Sequence, residues 1–259
     1  SQLLSAQSRQ LFIKENKLKQ EKMRADFENR QSDRKMLTLE QCRQNQLKID
    51  WVQTQITKPK FLGVKTVEDV SLSDLVPYID WSPFFHTWQL RGHYPEILKH
   101  ETMGPKDVEL FEDAQRLIKK IVEEKLFQLK GVVGFFPAGS HQDDIEIYTD
   151  ESRQKILKIL HGLRQQSLLS QNQFNLCLSD FIAPKSSDKK DYIGGFAVSA
   201  GFGVDAFAKT FENKQDDYHA IMVKALGDRL AEAYAEYLHE RVRKQLWGYA
   251  PHENLSKSE

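Results

Sequence analysis

The chain has 259 residues, with 37 Lys or Arg against 37 Asp or Glu, so its formal charge is zero. That balance excludes a strongly basic nucleic-acid coat or a polyacidic tail as its main theme. With 29% charged and 40% hydrophobic residues, it suits a globular protein with one large core or two small ones. No apolar run reaches the about 18 residues of a membrane span, and the start has no basic stretch leading into an apolar one, so no secretory signal is predicted. The only cysteines are Cys42 and Cys177, too few for a disulfide framework or a four-cysteine zinc site. A reducing cytoplasm is the expected setting.

Residues 1–36 carry nine basic and five acidic side chains, with no Gly and no Pro. These residue types favour helix, yet no wide apolar stripe runs along them, so an exposed charged helical arm or linker is predicted. Thr38 with Gln41 forms a capping box for a short helix from Leu39 to about Gln46. Ser82-Pro83 is a helix start, with Ser as cap and Pro in the first turn. The aromatic cluster Trp81, Phe84, Phe85 and Trp88 reads as core or pocket wall. From Asp107 to Gln128, the apolar residues Val108, Phe111, Ala114, Leu117, Ile118, Ile121 and Val122 recur at helical spacing.

A strand-rich middle follows. Gly131–Ala138 is a buried strand, and Asp144–Tyr148 alternates as its partner. The loop Gly139–Asp143 suits an antiparallel hairpin and is far too short for a parallel crossover. Glu151–Gln166 is predicted helical, Leu176–Ile182 a third strand, Ala183–Lys190 a polar loop and Tyr192–Ser199 a fourth strand. Helices are expected over Asp205–Glu212 and Asp217–Trp247. The class is α+β, with a sheet that is antiparallel or mostly so and helices packed on it.

In the last helix Met222, Leu226, Leu230, Ala233 and Tyr237 share one narrow arc, while Asp228, Glu232, Glu236 and Glu240 recur every four residues on another. The second arc is either a plain exposed acidic face or a surface that meets a partner carrying donors or positive charge. Asp80 sits amid Tyr78, Trp81, Phe84 and Phe85. A carboxylate there either bonds the following helix start or recognises a cationic ligand, since carboxylate and aromatic faces together suit ammonium or sulfonium. Gly201–Ala206 loosely fits a dinucleotide-binding turn. The preceding strands are joined as hairpins and no strand follows to complete a βαβ unit, so a tight turn needing glycine is favoured. His86, His93 and His100 are interrupted by Gly92 and Pro95, and no HExxH is present; His141, Asp143 and Asp144 read as turn residues.

Several motifs in order resemble the activation domain of cobalamin-dependent methionine synthase. They are Tyr78-Ile-Asp-Trp-Ser-Pro-Phe-Phe85, Trp88-Gln-Leu-Arg-Gly92, Gly131-Val-Val-Gly-Phe-Phe-Pro-Ala138 and Asp143-Asp-Ile-Glu-Ile-Tyr148. Gly162-Leu-Arg-Gln-Gln166, Asp180-Phe-Ile-Ala-Pro184, Ile221–Glu232, Tyr237–Arg243 and Trp247-Gly-Tyr-Ala-Pro251 continue the series. The resemblance runs from about Leu37 to the end, and residues 1–36 resemble the linker that precedes this domain. It implies a C-shaped single domain, 37–259, with a central antiparallel sheet flanked by helices.

By the same resemblance the domain binds S-adenosylmethionine and presents it to cobalamin held mainly by another domain of the polypeptide. An electron from flavodoxin or an equivalent flavoprotein then drives reductive methylation of inactive cob(II)alamin. The parent is a cytoplasmic methyltransferase of methionine biosynthesis, moving methyl from 5-methyltetrahydrofolate to homocysteine; its zinc is expected elsewhere, and neither nucleic acid nor membrane is an expected partner. Asp80 matches a family aspartate that contacts S-adenosylmethionine. Asp228 and Glu232 match carboxylates that meet the cobalamin-binding domain, and no residue here is assigned as catalytic. The family's segment Arg-Pro-x-x-Gly-Tyr-Pro lies beyond Asn254-Leu-Ser256 and is absent, so weak or no ligand binding by these residues alone is expected, and no catalysis of the overall reaction. A non-catalytic docking module for a separate corrinoid protein or flavoprotein is the alternative.

Overall fold

The computed structural model describes residues 9–32, 36–99, 104–170 and 172–255. It is α+β, and its sheet has five strands. β1 (Gly63–Val67), β2 (Gln128–His141), β3 (Asp144–Tyr148) and β4 (Ile156–His161) follow one another, and β5 (Asp191–Phe202) joins β2. β2 pairs antiparallel with both β1 and β5; Phe135 stands opposite Gly63 on one side and Gly194 on the other. The fourth predicted strand is thus present and antiparallel. Counting described residues only, the chain divides into two compact units, each discontinuous in sequence. One takes Ser1–Thr54, Gly139–Glu146 and Lys158–Lys189; the other takes Gln55–Ala138, Ile147–Leu157 and Lys190–Glu259.

In the first unit, α1 (Arg9–Ser32) is a helix whose apolar side chains stay in water: Leu11, Leu18, Met23 and Phe27 are all exposed. That matches the predicted arm as far as it is described. α2 (Leu39–Gln44) starts as read, with the Gln41 amide donating to Thr38 Oγ1 and the Thr38 amide donating to Gln41 Oε1. It ends two residues early.

The unit's centre is an arginine. The Arg164 side chain is fully buried and donates through Nε to Asp143 Oδ1 at 2.7 Å. It also donates to both oxygens of Asp180 at 2.9 and 2.7 Å and to the Asn175 carbonyl at 2.7 Å. Arg43 Nε meets the second oxygen of Asp143 at 2.8 Å. Asn175, itself buried, donates to the carbonyls of Gln165 and Ser167 and accepts from Asn45 Nδ2. Every partner of the buried guanidinium is therefore charged or itself bonded, which is the condition for burying it at all.

Three local expectations are corrected. β2 runs on to His141, so the hairpin to β3 is two residues, Gln142–Asp143, with Gln142 at φ 54°. Glu151–Gln166 is not helical. Asp150 accepts the Ser152 amide, Arg153 takes φ 55°, and the Thr149 amide reaches the Lys155 carbonyl, so the chain reverses into β4. Ile156, Leu157, Ile159, Leu160 and Leu163 are spaced like one helix face, and periodicity alone cannot separate that from a strand taken up by the edge of β3. Leu176–Ile182 is not a strand either. Asp180 takes the Cys177 amide at 2.9 Å and folds Leu178–Phe181 into a 3₁₀ turn, which points its carboxylate at Arg164.

The second unit holds the continuous apolar core. α5 (Gly104–Glu123) buries Ala114, Leu117, Ile118 and Ile121 of the predicted face, and Leu110 besides, while Val108, Phe111 and Val122 are half-buried. It stops short of Gln128 because Lys125 adopts φ 51°. The Leu126 amide then returns to the Ile121 carbonyl and the Lys125 amide to Val122, a left-handed cap that turns the chain into β2. α6 (Val204–Glu212) begins at Gly203, whose φ is 100° and whose Cβ would lie 2.2 Å from the Leu126 carbonyl. That is the turn the glycine pattern signals, with β5 antiparallel before it.

α7 (Asp217–Arg241) is capped by Asp216, which accepts the His219 amide at 3.1 Å. It buries Met222, Leu226, Leu230 and Ala233 as predicted, and Val223, Tyr234 and Leu238 besides. Each fully buried leucine is worth about 2–3 kcal/mol. α6 can lie this close because residue 227 is glycine, where a Cβ would come within 2.8 Å of Val204. Among the described residues no helix is long and apolar enough to cross a membrane.

Candidate functional site

All three sequence-predicted site residues belong to the second unit. Leu72–Leu75 forms a one-turn helix, α3, and a 3₁₀ turn, Val76–Tyr78, follows and carries the chain to Asp80. The Tyr78 hydroxyl donates to Glu240 Oε2 at 2.8 Å, and its ring meets Tyr237 edge-on at 5.4 Å. Partial burial and then the Glu240 carboxylate push the Tyr78 hydroxyl up to about 12. The Glu240 carboxylate is held below its ordinary range, first by Lys244 at 2.6 Å and then by Tyr78. The segment bearing Asp80 is thereby fastened to the C-terminal end of α7.

Asp80 itself is exposed. Its Oδ1 accepts the Ser82 amide at 2.9 Å, at the start of α4 (Ser82–Thr87). The structural half of the sequence reading therefore holds, with one change of register. Ser82 is the first helical residue rather than the cap, and its hydroxyl accepts the Tyr94 amide at 3.1 Å. Asp80 Oδ2 makes no hydrogen bond among the described residues. The neighbouring rings are spent elsewhere: Trp81, Phe84 and Phe85 are buried, and Trp81 packs edge-on to Phe84 and Phe111 at 5.5 and 4.9 Å. They are core and do not wall the carboxylate.

Asp228, Glu232 and Glu236 are exposed on α7, and Arg229 pairs with Glu232. At 1.5 Å rise per residue, Glu232 and Asp228 stand roughly 12 and 18 Å along the helix from the Tyr78 anchor at Glu240. One helix thus carries both the fastening of the Asp80 segment and an open acidic stripe. Glu240 is the exception in that stripe, since it is half-buried and doubly bonded.

Sequence reasoning singled out no pocket beyond Asp80, yet one lies at the end of α7. A π-helical turn, Val242–Leu246, follows the α-helix and swings Trp247 against Phe135, ring centroids 5.2 Å apart, while Trp247 Nε1 donates to the Thr57 carbonyl at 2.8 Å. Such turns are frequent at functional sites. A pocket of about 220 Å³ results, walled by Phe135, Phe196, His239, Trp247 and Tyr249 over Gly194 and Gly195. The adjacent glycines inside a strand were the available signal. His100 lies outside the described residues; among those described, no cluster of His, Cys, Asp and Glu could hold a metal.

The fold is an antiparallel α+β module, and it carries an acidic helix face and a carboxylate, Asp80, one oxygen of which is unbonded among the described residues. Residues 71–259 match the model of the vitamin B12-dependent methionine synthase activation domain. A crystal structure described as the MetH reactivation domain bound to AdoHcy is 52% identical, with a TM-score of 0.81, over 86% of this chain and 68% of that one. The chain belongs to the activation-domain family of vitamin B12-dependent methionine synthase.

Proposed function

We propose that this chain is the reactivation module of a cobalamin-dependent methionine synthase, that residues 37–259 form the module and residues 1–36 its linker, and that it binds S-adenosylmethionine through Asp80. The observation that carries the reading is the relative, 52% identical, described as bound to AdoHcy. In this reading S-adenosylmethionine would supply the methyl group for reductive methylation of a cob(II)alamin held by another domain, with the electron coming from a flavoprotein such as flavodoxin. This chain's residues bind, orient and dock. Asp80 suits the task because Oδ1 is fixed by the Ser82 amide while Oδ2 stays open to a ligand ammonium. The sulfonium finds no aromatic wall in Trp81, Phe84 or Phe85, so its contacts must come from other groups.

Asp228 and Glu232 are proposed as the docking contacts for the cobalamin-binding domain. Both carboxylates are exposed, and among the described residues Glu232 is engaged only by Arg229, a pair that solvent weakens. The test is calorimetry with S-adenosylhomocysteine on a polypeptide that contains this chain and the Arg-Pro-x-x-Gly-Tyr-Pro segment. Asp80→Asn is expected to weaken binding at least about tenfold, the scale of one lost charged hydrogen bond. Asp228→Asn with Glu232→Gln should leave that affinity unchanged and slow reactivation instead. Undiminished binding in Asp80→Asn would refute the assignment.

A further inference from the structure

Between β1 and α4 the chain has one turn of α-helix and one 3₁₀ turn with which to carry Asp80. Helix nucleation is costly, so turns this short stand only where their surroundings fix them. Within the segment, Ser71 and Asp74 cap each other, the Ser71 amide donating to Asp74 Oδ2 at 2.8 Å. Leu72, Leu75 and Ile79 are buried in the core. Two further fixings come from the last two residues of α7. Arg241 donates through both terminal nitrogens to the two oxygens of Asp69, at 2.7 and 2.5 Å, and Glu240 Oε2 accepts the Tyr78 hydroxyl at 2.8 Å. Neighbouring residues of one helix thus grip the two ends of Asp69–Tyr78.

The two grips differ in weight. Asp69 is exposed, so solvent weakens its pair, and it lies far along the chain from Asp80. Tyr78 is half-buried, and only Ile79 separates it from Asp80. Glu240 also differs from the rest of the acidic stripe: Oε1 accepts from Lys244 and Oε2 from Tyr78, so both oxygens are engaged. That leaves it poorly suited to meeting another domain and well suited to holding Tyr78, since an ionised acceptor makes the stronger hydrogen bond. On the far side of Asp80, the Ser82 amide fixes Oδ1.

We propose, resting on the assignment of Asp80 to the ligand, that Tyr78 and Glu240 are its positioning residues. Their hydrogen bond sets where Asp80 Oδ2 points and ties that carboxylate to the helix bearing Asp228 and Glu232. A carboxylate ordered before the ligand arrives loses less affinity to its own immobilisation. Because the strut ends on α7, ligand contact and docking carboxylates share one rigid frame.

Calorimetry with S-adenosylhomocysteine tests this as a double-mutant cycle, on the polypeptide used for Asp80→Asn. Tyr78→Phe removes only the hydroxyl and keeps the ring against Tyr237. It is expected to weaken binding about fivefold, the scale of one ordinary hydrogen bond. Added to Asp80→Asn, it should cost less than about twofold more, because the hydroxyl acts through that carboxylate. Glu240→Ala should match Tyr78→Phe, whereas Glu240→Gln, which retains an oxygen for the hydroxyl, should recover most of the affinity. Three results would overturn the proposal while leaving Asp80 as the ligand contact: full affinity in Tyr78→Phe, an equal loss with and without Asp80, or no recovery in Glu240→Gln. Undiminished binding in Asp80→Asn would instead remove the ligand assignment, and the positioning role with it.

Discussion

The two units are held by opposite means. In the first, the buried side chains include Asp143, Glu146, Arg164, Asn175 and Ser179, with few apolar ones beside Cys42, Ile145, Cys177 and Ala183. In the second, every member of the continuous hydrophobic cluster is found, from Val67 to Val242. A polar centre is a matter of completeness, because each group depends on its neighbour being present. An apolar centre is a matter of volume, and it gives way by degrees.

The sharpest way to break that contrast is Arg164→Met. It strands two buried carboxylates and should cost about 3–5 kcal/mol, read as lost amide protection across Gly162–Asp180 while α7 stays protected. Restoring neutrality with Asp143→Asn and Asp180→Asn in the same chain should recover part of the loss. Leu230→Ala is the counterpart in the apolar unit. At a fully buried site it should cost about 3 kcal/mol in urea unfolding.

Acid should separate the units more gently. Burial raises the Asp143 carboxyl, but the hydrogen bonds from Arg164 and Arg43 outweigh it and hold the group below its ordinary value. A carboxyl depressed in the folded state contributes its stability above the unfolded value of about 3.9 and loses it as pH falls through the folded one. Exchange measured between pH 5 and 3 should therefore show the Arg164–Asn175 stretch loosening before α5 and α7; simultaneous loss would contradict the contrast.

The smallest effect has the opposite sign. The Tyr234 hydroxyl is buried in the apolar unit with no hydrogen-bond partner among the described residues, and a Cβ on Gly131 would fall 2.4 Å from it. Tyr234→Phe should stabilise by about 1 kcal/mol, visible as a higher Tm. A loss would mean that the hydroxyl is paired in solution.

What the sequence made legible follows the same division. α5, α7, the α2 capping box and β5 are written in local patterns of apolar spacing or cap chemistry, and all are present, although α5 ends at Glu123 instead of Gln128 and α7 at Arg241 instead of Trp247, where a π-helical turn takes over. β4 was misread because its apolar residues satisfy helical and strand spacing equally, and only the waiting edge of β3 decides. Leu178–Phe181 was misread because what bends it is Asp180 reaching Arg164, a pairing across 16 residues that carries no periodic signature. Asp143 was correctly placed at a turn, but its two arginines lie 21 and 100 residues away. At the candidate site, the exposed acidic stripe was visible at four-residue spacing. The pocket beside His239 and Trp247 was not, since a π-helical turn and a glycine pair on a distant strand build it together.

The span of 100 residues between Arg43 and Asp143 has a consequence for the newborn chain. At about 5–20 residues per second on the ribosome, roughly 5–20 s pass before the arginine's partner is synthesised. A guanidinium can spend that interval in water at no risk, whereas an unpaired greasy surface would invite misassociation. Building the early-begun unit around ions lets its first residues wait.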